Sequence, residues 1–203
     1  MTAAPAFEIV EEQPSELLAY ARISSAFQVR EIVDIAEAID GPGQFVLSRR
    51  KLEPPYTKDY DAIAEDRPGH WPRLFDLSHW RLFSARLAGQ RLGGAAAVFD
   101  APDMDLLEGR RDLALLWDIR VAPEARGRGV GSALFRAVED WARSKGCRAL
   151  KIETQNSNAP ACAFYAQNGC VLGSIQRSAY QRFPDEVQMF WYKDLDRPRR
   201  RRL

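Results

Sequence analysis

Arg126-Gly127-Arg128-Gly129-Val130-Gly131 lies between an apolar, strand-like run ending near Val121 and an amphipathic stretch reaching about Lys145. A strand, a turn rich in glycine and arginine, and then a helix leave several backbone N–H groups unbonded at the positive end of the helix. Glycine at 127, 129 and 131 lets the main chain approach a pyrophosphate without a Cβ in the way. Arg126 and Arg128 add charge-assisted donors. The run is neither the dinucleotide G-x-G-x-x-G pattern nor a phosphate loop, since Ser132-Ala133 follows Gly131 and no Gly-Lys-Ser/Thr occurs. A G-x-G standing alone fits a surface loop equally, so the flanking sequence has to decide.

Downstream, Leu134, Ala137, Val138 and Trp141 recur at helical spacing, and Gly146 supplies a stop. Residues 149–154 read as the next strand. Asn158 caps a helix over 159–167 with Pro160 in its first turn, Gly169 ends it, and 170–175 and 188–192 read as closing strands. Upstream, 113–121 is an apolar strand interrupted by Asp118 and Arg120. The runs 80–87 and 91–99 form an antiparallel hairpin around Ala88-Gly89-Gln90, followed by a polar loop over 100–111. Residues 7–12 suit a first strand and 14–20 a short helix entered through Pro14. The stretch 27–35 alternates as a strand does but also fits a helix through Glu37, stopped by Gly41-Pro42-Gly43. Residues 45–51 are extended, Pro54-Pro55 predicts a loop, and 56–72 reads as a long polar loop or short helix.

The chain has 203 residues, enough to bury a core without disulfides or metals, and no change of composition asks for a second domain. No apolar run approaches the length of a membrane span, and the first residues lack the basic start and apolar block of a secretion signal. Cys147, Cys162 and Cys170 form no C-x-x-C pair, which suggests reduced thiols in the cytoplasm and no zinc site. His70 and His79 have no metal-ligand spacing around them, so a catalytic acid or base is expected to be a carboxylate or a tyrosine, with no metal. Net charge is +1, yet five arginines sit in the last seven residues; taking these from the 29 Lys and Arg leaves 24 against 28 Asp and Glu. A mildly acidic body suits a cationic substrate. The tail, 197–203, reads as a solvated, disordered end; a nucleic-acid partner is the lesser alternative.

Residues 116–180 resemble the core of the GNAT superfamily of acetyl-CoA-dependent N-acetyltransferases. Its phosphate turn reads Gln or Arg, two residues, Gly, one residue, then Gly or Ala, and Arg126, Gly129 and Gly131 occupy those positions in order. The run Glu153-Thr154-Gln155-Asn156-Ser157-Asn158-Ala159-Pro160-Ala161-Cys162, with Tyr165 and Gly169, is similar to the family's next strand and helix. Within the superfamily the likeness is to the streptothricin acetyltransferases. It is carried by that block, by Pro55-Tyr56-Thr57-Lys58-Asp59-Tyr60 and by the close Met189-Phe190-Trp191-Tyr192. Cys170, where the family usually has phenylalanine, and the long 100–111 loop depart from the pattern. The resemblance implies one α/β domain over 1–196 with its core at 78–193. Its mixed, mostly antiparallel sheet would have about seven strands flanked by helices, with CoA bound where the 113 and 149 strands diverge.

It also implies roles. Acetyl-CoA, as co-substrate, would lie against Val121, Arg126, Gly127, Arg128, Gly129, Val130, Gly131 and Ser132, with Asn158 adding a contact beyond its cap. Tyr165 would protonate the coenzyme A sulfur. The amine's proton would pass to Asp118 or Glu153, each a carboxylate inside an apolar strand where an unpaired charge is costly. Either could instead be half of a buried ion pair, Asp118 with Arg120 or Arg148. Tyr56, Asp59 and Tyr60 could form a lid over a cationic amine, or simply a solvated acidic loop. Trp117 should face opposite to Asp118 and pack in the core, and Cys162 should only pack, because direct transfer needs no acyl-enzyme. The expected reaction is acetylation of a primary amine of a small molecule such as a streptothricin-like antibiotic. A polyamine, amino acid or protein amine as acceptor, a non-catalytic CoA-binding module, and a homodimer stay open.

Overall fold

Leu113–Val121 carries its apolar side chains on both faces, as a strand covered on both sides must. In the computed structural model, which describes residues 7–37 and 44–196, it is an inner strand of the main sheet. The elements in chain order are β1 (Glu8–Glu12), α1 (Leu17–Tyr20), β2 (Phe27–Glu37), β3 (Phe45–Lys58), α2 (Trp71–Leu74), β4 (Trp80–Leu87), β5 (Gln90–Phe99), β6 (Leu113–Val121), α3 (Val130–Ser144), β7 (Ala149–Gln155), α4 (Ala159–Gln167), β8 (Val171–Gln176) and β9 (Gln188–Asp194). Seven strands form one mostly antiparallel sheet in the order β1-β4-β5-β6-β7-β9-β8, while β2 and β3 pair separately. The expected hairpin is present, its turn made by Ala88 and Gly89 at φ 47° and 81°, the primed geometry that matches strand twist. No helix among the described residues is long and apolar enough to cross a membrane.

The chain divides into two compact units, each assembled from separated stretches. The first holds β1, β4, β5 and β6, every neighbouring pair antiparallel. One side is covered by α3, whose buried Val130, Leu134, Val138 and Trp141 recur at helical spacing. On the other side Trp80 and Leu82 join Leu17, Tyr20 and Trp71, and alternation sends Phe83 the opposite way to meet Trp141 at 6.3 Å. Adjacent glycines in β5 permit this double cover. A Cβ on Gly94 would lie 2.6 Å from the Tyr20 ring, and one on Gly93 would lie 2.9 Å from the Arg120 carbonyl oxygen. Further along the same pairing β6 slips register at Trp117, between the pairs Ala96 with Asp118 and Ala97 with Leu116. This bulge breaks the alternation, so Trp117 does not face away from Asp118. Trp117 packs on the cluster containing Tyr20, and Asp118 bonds the Tyr20 hydroxyl.

The second unit comprises β2, β3, and the chain from Lys151 through α4, β8 and β9. The stretch from Phe27 is a strand, not a helix, and Pro54-Pro55 does not end its partner. Val29 pairs with Tyr56 and Glu31 with Lys51, so residues 52–55 are taken up as a bulge opposite Arg30. Prolines are tolerated there because they withdraw no donor from the ladder. The expected stop at Gly41-Pro42-Gly43 and the arginine tail lie outside the described residues. Buried Asn156 ties the unit together with main chain and side chain alike. Its backbone oxygen accepts from the Val33 N–H at 2.9 Å, its N–H donates to the Val187 carbonyl at 3.0 Å, and its Oδ1 accepts from the Val187 N–H at 2.8 Å.

Candidate active site

In the first unit the glycine turn joins β6 to α3, as the sequence predicts. Gly127 and Gly129 adopt φ of 73° and 82°, with open space where a Cβ would stand. Buried Ala125 and Val130 anchor the turn on either side, while Arg126 to Gly129 are exposed. Arg126 Nε donates to the Val121 carbonyl at 3.0 Å, closing the loop on the strand end. Gly129 is the N-cap, and the first helical bond runs from the Ala133 N–H to the Gly129 carbonyl at 3.0 Å. The N–H groups of Val130, Gly131 and Ser132 therefore open α3 without intrahelical acceptors. An exposed, glycine-lined N-terminus of a 15-residue helix, with two arginines in the turn, fits a phosphate-bearing ligand.

Asp118 is held in the same unit. Its Oδ2 accepts from the Tyr20 hydroxyl at 2.8 Å and from Arg120 Nε at 2.6 Å. The Arg120 side chain, 5% exposed, also donates through Nη1 to the Ile23 carbonyl at 2.9 Å and to Asp61 at 3.1 Å. Burial works against the guanidinium charge, but Asp118, Tyr20 and Asp61 outweigh it and raise its pKa above the ordinary value. Burial, then the Asp118 charge, push the Tyr20 phenol well above its usual range, so it serves as a fixed donor. For Asp61, burial is outweighed by the Ser25 backbone N–H and by Arg120, which bring its pKa below the usual carboxylate value. The expected lid residue Asp59 caps this arrangement, accepting from Ser25 Oγ at 3.1 Å and the Asp61 N–H at 3.0 Å. Tyr60 opens the following short turn and is half-buried.

In the second unit Glu153 and Gln155 lie two residues apart on β7 and share a face, both half-buried. Glu153 Oε1 accepts from the Tyr180 hydroxyl at 2.6 Å, and the same hydroxyl accepts from Gln155 Nε2 at 2.9 Å. Tyr165 is 5% exposed on α4, its ring between Phe164 at 5.4 Å and Trp191 at 6.4 Å. The Asn158 Oδ1 accepts from the Ala161 N–H at 3.2 Å, the cap that the sequence predicts. Burial pushes the Cys162 thiol up to about 12, which keeps it protonated and unsuited to carrying an acyl group. Tyr56 is 41% exposed at the end of β3. Burial and the nearby Glu186 raise its phenol pKa, with a hydrogen bond to Ser157 opposing them.

Glu186 was not expected from sequence. It is buried, ion-paired with Lys58, and accepts from Ser157 Oγ at 2.9 Å. Tyr20, Asp61 and Tyr180 were missed as well. Each meets its partner across a sequence separation that no local pattern encodes, 98 residues for Tyr20 with Asp118 and 27 for Tyr180 with Glu153.

The sheet with its inner bulge, the glycine turn opening α3 and the capped α4 define an acetyltransferase of the GNAT type. The family model for the GNAT acetyltransferases matches residues 48–170, and the chain belongs to that family as an acetyl-CoA-dependent N-acetyltransferase. It is 31% identical over 187 residues to the streptothricin acetyltransferase of Escherichia coli, covering 91% of this chain and 92% of that one. To the streptothricin acetyltransferase of Streptomyces lavendulae it is 28% identical, covering 95% and 96%. Its fold is similar to that of a candidate streptothricin acetyltransferase of Bacillus anthracis solved in complex with acetyl coenzyme A. The TM-score is 0.72 at 22% identity, with 95% and 99% of the two chains covered.

Proposed function

We propose that this chain acetylates a primary amine of a streptothricin-like antibiotic. The observation that carries this reading is the near full-length similarity to streptothricin acetyltransferases, which reaches beyond the cofactor motif to both ends of the domain. Acetyl-CoA, when bound, supplies the activated acetyl group as a thioester. The residues suited to hold its phosphates are Arg126, Gly127, Arg128, Gly129, Val130, Gly131 and Ser132, with Val121 at the strand end and Asn158 assigned contact on the family resemblance.

Of the two candidate carboxylates, Glu153 is the better base. Asp118 shares one oxygen between Tyr20 and the buried Arg120 guanidinium, whereas Glu153 is held by a neutral phenol. Glu153 takes the proton released as the amine nitrogen bonds to the acetyl carbon. The carbon–sulfur bond breaks, and Tyr165 gives its hydroxyl proton to the departing thiolate. Tyr56, Asp59 and Tyr60 remain candidates for the acceptor's surroundings, although Asp59 already caps a turn.

The test is release of free thiol from acetyl-CoA with streptothricin and with a panel of polyamines, amino acids and peptides. Turnover of streptothricin above the panel is expected. Turnover of another amine with none of streptothricin would overturn the acceptor. Calorimetry with acetyl-CoA tests the turn separately: Gly129→Glu puts a side chain and a negative charge at a left-handed position and should abolish the heat of binding. Unchanged affinity would refute the phosphate assignment.

A further inference from the structure

The loop between β8 and β9 sends one side chain back to β7. We propose that Tyr180 is a positioning residue for Glu153, fixing the carboxylate that receives the amine proton; this rests on the reading of Glu153 as the base. Gln155 Nε2 occupies an acceptor lone pair of the Tyr180 oxygen at 2.9 Å, and the phenol donates to Glu153 Oε1 at 2.6 Å. That distance is in the range of charge-assisted O–H···O⁻ bonds. The chain Gln155, Tyr180, Glu153 thus orients one carboxylate oxygen. Glu153 Oε2 has no hydrogen-bond partner among the described residues and is the oxygen left to accept a proton.

A purely structural role for the hydroxyl would be to fasten the loop. The loop has other fastenings at its ends. Arg177 donates to the Ile35 carbonyl at 3.1 Å. At the far end buried Glu186 is paired with Lys58 and Ser157, and Val187 is bonded twice to Asn156. These contacts hold both ends of the loop independently of the Tyr180 hydroxyl.

The experiment is a double-mutant cycle of Tyr180→Phe and Glu153→Gln in the full chain, followed by thiol release with acetyl-CoA and whichever amine the panel shows to be turned over. Tyr180→Phe is expected to lower kcat about tenfold, as a misplaced catalytic group does, with the KM for acetyl-CoA within twofold of wild type. In the Glu153→Gln background the same change should have less than a twofold effect. Gln155→Ala, which keeps the Tyr180 phenol and changes no residue of the loop itself, should lower kcat about threefold and likewise lose its effect in that background. A kcat within twofold of wild type for Tyr180→Phe overturns the proposal, as does a full tenfold loss that multiplies with Glu153→Gln. If Glu153→Gln alone keeps wild-type kcat, the assignment of the base has failed instead, and the proposal falls with it. Thermal melts of all variants identify loss of fold; should Tyr180→Phe unfold, Gln155→Ala decides.

Discussion

Asp118 and Glu153 are alike in sequence, each a carboxylate inside an apolar strand, and unlike in surroundings. Asp118 shares one oxygen between a guanidinium and a phenol, and the same guanidinium holds Asp61 and the Ile23 carbonyl. Removing its charge would leave a cation that is 5% exposed with Asp61 as its one remaining carboxylate. Glu153 has a phenol and no ion pair among the described residues, so neutralising it leaves no opposite charge uncompensated. On the proposed reading, a carboxylate engaged with a buried cation serves the fold's electrostatic balance, while one oriented by a neutral donor serves as the base. The partners, not the residue type, separate the two roles.

The largest test of that contrast is Glu153→Gln. It should lower kcat by about 10²- to 10³-fold, as loss of a general base does, with urea unfolding close to wild type. A kcat within a few-fold of wild type would remove Glu153 as base. Asp118→Asn should show the reverse pattern, with stability falling by about 2–3 kcal/mol in urea titrations because Arg120 loses one of its two carboxylates, and kcat in the folded fraction changing far less. A kcat collapse at unchanged stability would exchange the two assignments.

Gly94→Ala probes the packing behind Asp118. The new methyl group meets the Tyr20 ring, and a cost of about 1–3 kcal/mol is expected from thermal or urea unfolding. The smallest effect concerns pH. The folded Asp61 and Glu12 have pKa values below their unfolded ones, so the stability they contribute is present above the unfolded carboxylate range and lost as pH falls through the folded values. Asp61→Asn should therefore flatten the acid side of the stability curve below about pH 4 while lowering the neutral plateau. An unchanged slope would show that Asp61 titrates alike in both states.

What could be read in advance follows from which interactions are local. The α3 stripe, the Asn158 cap, the Ala88-Gly89 hairpin and the glycine turn between β6 and α3 are set by neighbours in sequence, and all were legible. The bulge at Trp117 was not, because it depends on how β5 and β6 fit their flanking cores. Pro54-Pro55 misled for a related reason: proline forbids a place within a regular ladder, yet the bulge opposite Arg30 gives it one. Among candidate site residues, sequence could nominate Asp118 and Glu153 as charges in apolar strands, but their partners Tyr20, Asp61 and Tyr180 come from remote segments. The choice between base and ion pair rests on those partners and was therefore closed to inspection of the chain alone.

The division of the second unit between residues 26–58 and 151–194 bears on how the protein is made. On a ribosome adding about 5–20 residues per second, the β2–β3 hairpin is complete on the order of 5–20 s before β7 begins to emerge. Until then Val33 lacks Asn156, and Lys58 lacks Glu186. The hairpin must pass that interval with an open strand edge and without its later partners. The exposed charges it carries at Arg49, Arg50 and Lys51 suit such a wait, discouraging edge-to-edge association of nascent chains before the enzyme is whole.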